Sequence, residues 1–247
     1  MSDSKAIVCV IPARGGSKGV LRKNLHLFRG APLVSWTIRA ALGSGRLGRV
    51  LVSTDDDEIA SVAREEGAEV PGLRPAHLAE DHIHAFHVVE HVLAELADRE
   101  GLVPHAVMML LPTSPLRAVD DINGAIDLFE REAAPAVISV ADLGKYMTNL
   151  RFLRNNRLVR VARGEEPNAQ RQDVEKLYGV NGSLFLARTG ELRAAGTFHL
   201  DGVLGYVMPP SRSIDVNSLD DLNLALQMAQ AWETLSSESG GGPHDVP

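Results

Sequence analysis

The chain has 247 residues, 45% hydrophobic and 23% charged, with a formal net charge of −7. That length fits one large α/β domain or two small ones with an ample core. The acidic balance and an aromatic content of 4% argue against a protein dominated by nucleic-acid, anionic-membrane or base-stacking contacts. No stretch approaches the roughly 20 apolar residues that cross a bilayer. One cysteine, Cys9, excludes an intrachain disulfide framework and reads as a buried structural thiol. Residues 1–5 lack the apolar core of a signal peptide, so a cytoplasmic location is expected.

Residues 6–11 predict a buried strand. It feeds Ile11-Pro-Ala-Arg-Gly-Gly-Ser-Lys-Gly-Val-Leu-Arg-Lys-Asn24, a loop with three glycines, two arginines and two lysines. Backbone without side chains can approach a polyanion closely, and its exposed amides can form an anion-binding concavity. Arg14, Lys18, Arg22 and Lys23 add charge-assisted hydrogen bonds to phosphate oxygens. Two better-known phosphate loops do not fit. A Walker loop needs Gly-Lys followed by Ser or Thr, whereas Ser17 precedes Lys18; the dinucleotide fingerprint needs glycines at i, i+2 and i+5, whereas these fall at 15, 16 and 19. The loop is a third kind of phosphate binder.

Further along, residues 32–42 predict a helix with Pro32 in its first turn, and 49–54 a second strand. The acidic run Asp55–Glu58 opens a helix to about Glu66, its carboxylates complementing the positive helix end. Residues 68–70 suggest a short third strand and 84–99 a helix with apolar spacing at Val88, Val92, Leu93 and Leu96. The continuous apolar run 106–111 has the character of a strand covered on both faces. A helix over 120–132 and a strand over 136–140 follow. This alternation predicts a mostly parallel, doubly wound α/β sheet.

The pattern then changes. Residues 146–178 are polar and turn-rich, with Asn155-Asn156 between the aliphatic pieces 150–153 and 158–161, which predicts a projecting hairpin and a candidate dimer contact. Strands are expected at 181–187 and 203–207 and a helix at 219–235. The whole of 5–235 reads as one domain, and 236–247 as a disordered Ser/Gly tail.

Three constellations carry chemistry. Pro112-Thr-Ser-Pro-Leu-Arg117 stiffens a turn at the end of the 106–111 strand, on the same sheet edge as the first loop. In Ser213-Ile-Asp-Val-Asn217, ahead of the last helix, Asp215 is placed to hold Mg²⁺, while Ser218 with Asp221 has near capping-box spacing. His87-Val-Val-Glu-His91 matches the H-x-x-E-H zinc pattern, but nothing supports a third ligand and the match is read as chance.

Taken together, residues 11–24, Val52-Ser-Thr-Asp55, 112–117 and 214–217, with weaker support from Leu73-Arg-Pro75 and Asn181-Gly-Ser183, resemble the acylneuraminate cytidylyltransferase (CMP-sialic acid synthetase) family over roughly residues 5–232. The resemblance implies a Rossmann-like nucleotidyltransferase fold and a homodimer in which the 146–178 element reaches the partner's sugar site. It implies CTP and a nine-carbon 2-keto sugar acid as substrates, CMP-sugar and pyrophosphate as products, and Mg²⁺ as cofactor. Arg14, Ser17, Lys18 and Lys23 would then hold the triphosphate, Asn24 and Arg74 the nucleoside, and Asp215 with Asn217 the metal. Ala13, Gly15, Thr113, Ser114, Arg117 and Asn181 complete the implied substrate-binding set.

Two positions depart from that pattern. The family usually carries Gln where this chain has Leu111, and Asp where it has Asn217. The first removes a polar contact towards the acceptor, the second a charge beside the metal. They leave open two alternatives: a cytidylyltransferase for another acidic acceptor, such as a ketodeoxy sugar acid or a specialised metabolite, or a nucleotide-binding homologue with reduced turnover.

Overall fold

The computed structural model describes residues 6–17, 19–146, 150–161 and 176–239. Expectations for Lys18, for 147–149 and 162–175 of the projecting element, and for 240–247 of the tail lie outside the described residues.

Strand β1 (Ile7–Pro12) is apolar on both faces because both are covered, and it pairs in parallel with β4 (Arg49–Ser53) on one side and β5 (Ala106–Leu110) on the other. The short strands β2 (Leu27–Phe28) and β3 (Ala31–Pro32) form an antiparallel pair of their own. The six-stranded sheet runs β10-β6-β9-β5-β1-β4, where β6 is Ala136–Tyr146, β9 Lys176–Arg188 and β10 Leu204–Met208. β10 joins β6 in parallel, whereas β9 is inserted antiparallel between β6 and β5. The sheet is therefore mostly parallel, with one reversed strand that the chain order alone did not disclose.

Helices cover both faces. On one side α1 (Leu33–Gly43), α2 (Asp57–Glu65) and α4 (Val119–Arg131) bury Ile38, Ala63 and Ile126 against Cys9, Val52 and Met108. On the other, α3 (Ala85–Glu100) and the short α5 (Thr189–Ala195) bury Val89, Leu93 and Leu192 against Val8, Leu51 and Met109. Each fully buried Leu or Ile contributes about 1.5–3 kcal/mol. The last helix, α6 (Leu219–Ser239), packs on Phe28, Leu33 and Leu116, and runs four residues past the boundary expected at 235. Cys9 is a free, fully buried thiol, and burial pushes its pKa up to about 12.

Caps explain where the helices begin. The Asp56 carboxylate accepts from the amides of Glu58 and Ile59 at 2.9 and 3.1 Å. At α6 the Ser218 hydroxyl accepts from the Asp221 amide, and the Asp221 carboxylate accepts from the Ser218 amide, so aspartate closes the capping box that normally takes glutamate. The short strand expected at 68–70 is instead a single isolated parallel bridge, Leu51–Glu69, with a second, Thr54–Leu73, just beyond it. Helix α5 was not foreseen; seven residues with Leu192 as the buried aliphatic anchor carry little periodicity.

The expected hairpin is present as β7 (Arg151–Arg154) and β8 (Arg157–Arg160), antiparallel. Asn155 and Asn156 both have positive φ, as a two-residue hairpin turn requires. Phe152, Leu153, Leu158 and Val159 are exposed on it.

One buried ion pair joins two segments near the cleft. Arg212 donates through Nε and Nη2 to Asp121, both at 2.8 Å, and the Asp121 side chain is wholly buried. The same carboxylate accepts from the Ala118 amide at 2.9 Å. Breaking such a pair strands the remaining charge. Asp121→Ala is expected to lower unfolding free energy by about 3 kcal/mol in urea titration; a loss under about 1 kcal/mol would show the pair to be marginal.

Candidate active site

Parallel pairing puts the carboxyl ends of β1, β4 and β5 on one sheet edge, and a cleft of about 390 Å³ opens there. The loop after β1 forms one wall. Ala13 prolongs the ladder by donating its amide to the Ser53 carbonyl at 2.9 Å. The Gly15 amide donates to the Asp55 carboxylate at 3.0 Å, and the buried Asn24 side chain donates to the Arg14 carbonyl at 2.8 Å. These bonds turn the loop back on itself and hold Arg14, Ser17, Lys23 and Asn24 around the cleft.

The three glycines have different reasons. A Cβ on Gly15 would come 2.7 Å from Asp56 Oδ2, and one on Gly19 would collide with the Asn217 carbonyl oxygen. Gly19 is thus where the loop presses on the segment before α6. A Cβ on Gly16 would meet no atom of the described residues within 4 Å. Arg22 has φ +52 and turns away to pair with Asp56 and Glu58 at the start of α2, so it is not a cleft cation.

Lys23 spans the junction. Its ammonium donates to the Val216 carbonyl at 2.7 Å and to Asn217 Oδ1 at 3.3 Å. Burial lowers its pKa, and the nearby Asp215 charge opposes that shift. Asn217 Nδ2 in turn donates to Asp215 Oδ2 at 2.7 Å, while Asp215 Oδ1 is buried with no hydrogen-bond partner among the described residues. An unpartnered carboxylate oxygen is a ligand of the kind Mg²⁺ takes, whereas Asn217 turns its Oδ1 to Lys23 and its Nδ2 to Asp215. The Asp215 carboxylate thus fits the cofactor expected from the resemblance, and Asn217 would have to release Lys23 to add its oxygen.

The opposite wall is Arg74 together with the segment Leu78 to Val88. Arg74 is buried; burial lowers its pKa, and the Asp55 carboxylate, 3.4 Å away, opposes this. Asp55 thus positions both the glycine loop and Arg74. The 78–88 wall was not anticipated beyond Arg74. Its signal in the sequence was masked by the histidines, and Asp81, which pairs with Arg14 at 2.7 Å, gave no motif of its own.

Seven of the expected residues converge on the cleft: Arg14, Ser17, Lys23, Asn24, Arg74, Thr113 and Asn217. Leu111, one of the two departures, also lines it. Ala13 and Gly15 support the wall from behind. Ser114 is buried, 1% exposed, and lines no part of the cleft. Arg117 is buried beneath the 112–116 turn rather than facing a ligand. Asn181 is also internal: it accepts from the Ser139 hydroxyl at 2.6 Å and donates to Ser213 Oγ at 2.9 Å, pinning the segment that leads to Asp215. In the H-x-x-E-H pattern, Glu90 pairs with Arg193 and His91 lies 3.8 Å from Glu95. Among the described residues no group of three or more His, Cys, Asp or Glu is placed to hold a metal ion.

A glycine-rich cationic loop at the carboxyl edge of a three-layer α/β sheet defines a nucleotide-binding protein of the nucleotidyltransferase fold. Two solved structures share that fold: CMP:2-keto-3-deoxy-manno-octonic acid synthetase complexed with CTP (TM-score 0.67, 16% identity, 92% of this chain and 100% of that one) and 4-diphosphocytidyl-2C-methyl-D-erythritol synthase from Anaerococcus prevotii (TM-score 0.64, 10% identity, 92% and 99%). The profile of the cytidylyltransferase family matches residues 8–182, and the chain belongs to that family, in its acylneuraminate-type group of CMP-sugar synthases. It is similar to the pseudaminic acid cytidylyltransferase of Campylobacter jejuni (28% identity, 88% of this chain and 94% of that one). It is also similar to the CMP-N,N'-diacetyllegionaminic acid synthase of Legionella pneumophila (30%, 91% and 96%). The N-acylneuraminate cytidylyltransferase of Escherichia coli is 31% identical over 91% of this chain, which spans about half of that protein (52%).

The glycine contacts yield a paired test. Gly19→Ala is expected to cost about 1–3 kcal/mol in denaturant titration, because backbone must move. Gly16→Ala should stay within about 0.5 kcal/mol of the parent. Equal stability of the two variants would refute the close approach of Gly19 to Asn217.

Proposed function

We propose that the chain transfers CMP from CTP to the anomeric hydroxyl of a nonulosonic, sialic-acid-like sugar acid and releases pyrophosphate. The observation that carries this reading is the convergence of Arg14, Ser17, Lys23, Asn24 and Asn217 at one cleft, with Asp215 bonded to Asn217 beside it, in a chain whose relatives are named for pseudaminic, legionaminic and neuraminic acids.

The acceptor oxygen attacks the α-phosphorus in line. A phosphorus–oxygen bond to the sugar forms as the bond to the bridging oxygen of pyrophosphate breaks, and the hydroxyl proton passes to water. Arg14 and Lys23, joined by Lys18 from the same loop, neutralise charge that grows on the departing pyrophosphate. Ser17 offers a hydroxyl to a phosphate oxygen, while Asn24 and Arg74 orient the nucleoside. Asp215 and Asn217 would hold Mg²⁺, which would supply Lewis-acid charge to the phosphates. No covalent nucleophile is required, because positioning and electrostatics carry phosphoryl-type transfer.

The rest of the reading concerns the molecule's surroundings. The exposed aliphatic faces of the β7–β8 hairpin support a homodimer built through it. A freely diffusing nucleotide substrate supports a cytoplasmic location, and no helix among the described residues is long and apolar enough to cross a membrane. Leu111 in the cleft wall favours the alternative of a different acidic acceptor, since it offers no hydrogen bond to a hydroxylated sugar.

Pyrophosphate release from CTP across a panel of nonulosonic and ketodeoxy sugar acids tests these readings together. Turnover with a nonulosonic acid supports the first, turnover confined to another acid supports the alternative, and CTP binding without release leaves a nucleotide-binding homologue. Asp215→Ala is expected to cut the rate by about 10²-fold or more; a variant retaining full Mg²⁺-stimulated turnover would place the metal elsewhere.

A further inference from the structure

Arg117 is 2% exposed, yet its Nε and Nη1 atoms find no hydrogen-bond partner among the described residues. Its surroundings make that costly, since a buried cation loses hydration that the nearby Asp121 carboxylate offsets only through its charge. Burial pushes the guanidinium down to about 10, so it remains charged at neutral pH, and the adjacent Cys9 thiol stays neutral. The one nitrogen that is engaged, Nη2, donates to the Leu111 carbonyl at 2.8 Å and reaches Thr37 Oγ1 at 3.3 Å and the Ser114 carbonyl at 3.5 Å.

Those two carbonyls also close the turn that lines the cleft. The Ser114 amide donates to the Leu111 carbonyl and the Arg117 amide to the Ser114 carbonyl, both at 3.3 Å. Between them, the Thr113 carbonyl accepts from the Val216 amide at 2.8 Å. Val216 is the residue whose own carbonyl holds the Lys23 ammonium. A continuous set of hydrogen bonds therefore runs from the buried guanidinium through the turn to the cation at the mouth of the loop.

We infer that Arg117 is a positioning residue for the anionic end of the nucleotide: it clamps the 111–114 turn so that Thr113 seats Val216 and, through it, Lys23 and the Asp215–Asn217 pair. The inference rests on the CTP reading above and adds a residue that touches no substrate. A guanidinium serves here because its planar fork can hold several carbonyl and hydroxyl oxygens in one geometry, which a point charge cannot.

The test is calorimetric titration of CTP, and of cytidine as its phosphate-free counterpart, into the parent chain, Arg117→Met, Lys23→Met and the double variant. Arg117→Met is expected to weaken CTP by about tenfold while moving cytidine by less than about twofold. In the Lys23→Met background the same substitution should add less than about twofold, because both act through one relay. Equal losses for CTP and cytidine, or full additivity with Lys23→Met, would give Arg117 a structural role only and overturn the inference. Should Arg117→Met fail to fold, Arg117→Lys decides: it keeps a charge but not the fork, so CTP should still weaken by about fivefold with cytidine unchanged, and parental CTP affinity would sink the idea. A parent chain that binds cytidine but not CTP would refute the triphosphate reading itself, which no result with the variants alone can do.

Discussion

The loop after β1 and the segment before α6 lie almost two hundred residues apart, and the site depends on how closely they meet. Gly19 lets backbone reach the Asn217 carbonyl where any side chain would collide, and Lys23 bonds across the same junction to Val216 and Asn217. Remove that contact and the cations of the first loop would face solvent, with Asp215 on a separate segment. Its cost is local and electrostatic: an ammonium half removed from water, balanced by a carboxylate and two oxygen acceptors.

Other features serve the same junction from further back. The Arg212–Asp121 pair fixes the start of the 209–217 segment to α4, Asn181 holds Ser213, and the Ser218–Asp221 box starts α6 at a defined residue. The 112–116 turn fastens the middle through Thr113. Buried polar groups that are fully paired specify one arrangement at modest net stability, which suits a segment whose task is placement. One carboxylate oxygen of Asp215, in the middle of this scaffold, has no hydrogen-bond partner among the described residues.

Much of the fold was legible in the chain. Continuous apolar runs at 6–11 and 106–111 became strands covered on both faces, the acidic cluster at 55–58 became a capped helix start, and Asn155-Asn156 became a two-residue hairpin turn. The antiparallel β9 was not legible, because apolar patterning reports which faces are buried and not which way a strand runs. Helix α5 was too short to show a period, and the bridges at Glu69 and Leu73 lack the length of a strand. In the site, the glycine loop announced itself by composition, whereas the wall from Leu78 to Val88 did not, since its residues are of ordinary type and become a wall only by packing opposite the loop.

The sequence by itself determined the chemistry of the cleft: a glycine-rich cationic loop at a strand end, a rigid proline turn and an aspartate ahead of the last helix, each set by neighbouring residues. Tertiary structure decided which polar groups face the ligand. Arg117 and Asn181 share motifs with cleft residues yet are turned inward, while Asp55 and Asp81 reach residues of the loop from other elements. The reason is physical. A side chain's chemistry is carried by its own residue, but its solvent exposure and many of its hydrogen-bond partners come from whatever the fold packs over it, and for Asn181, Asp55 and Asp81 those partners lie tens of residues away.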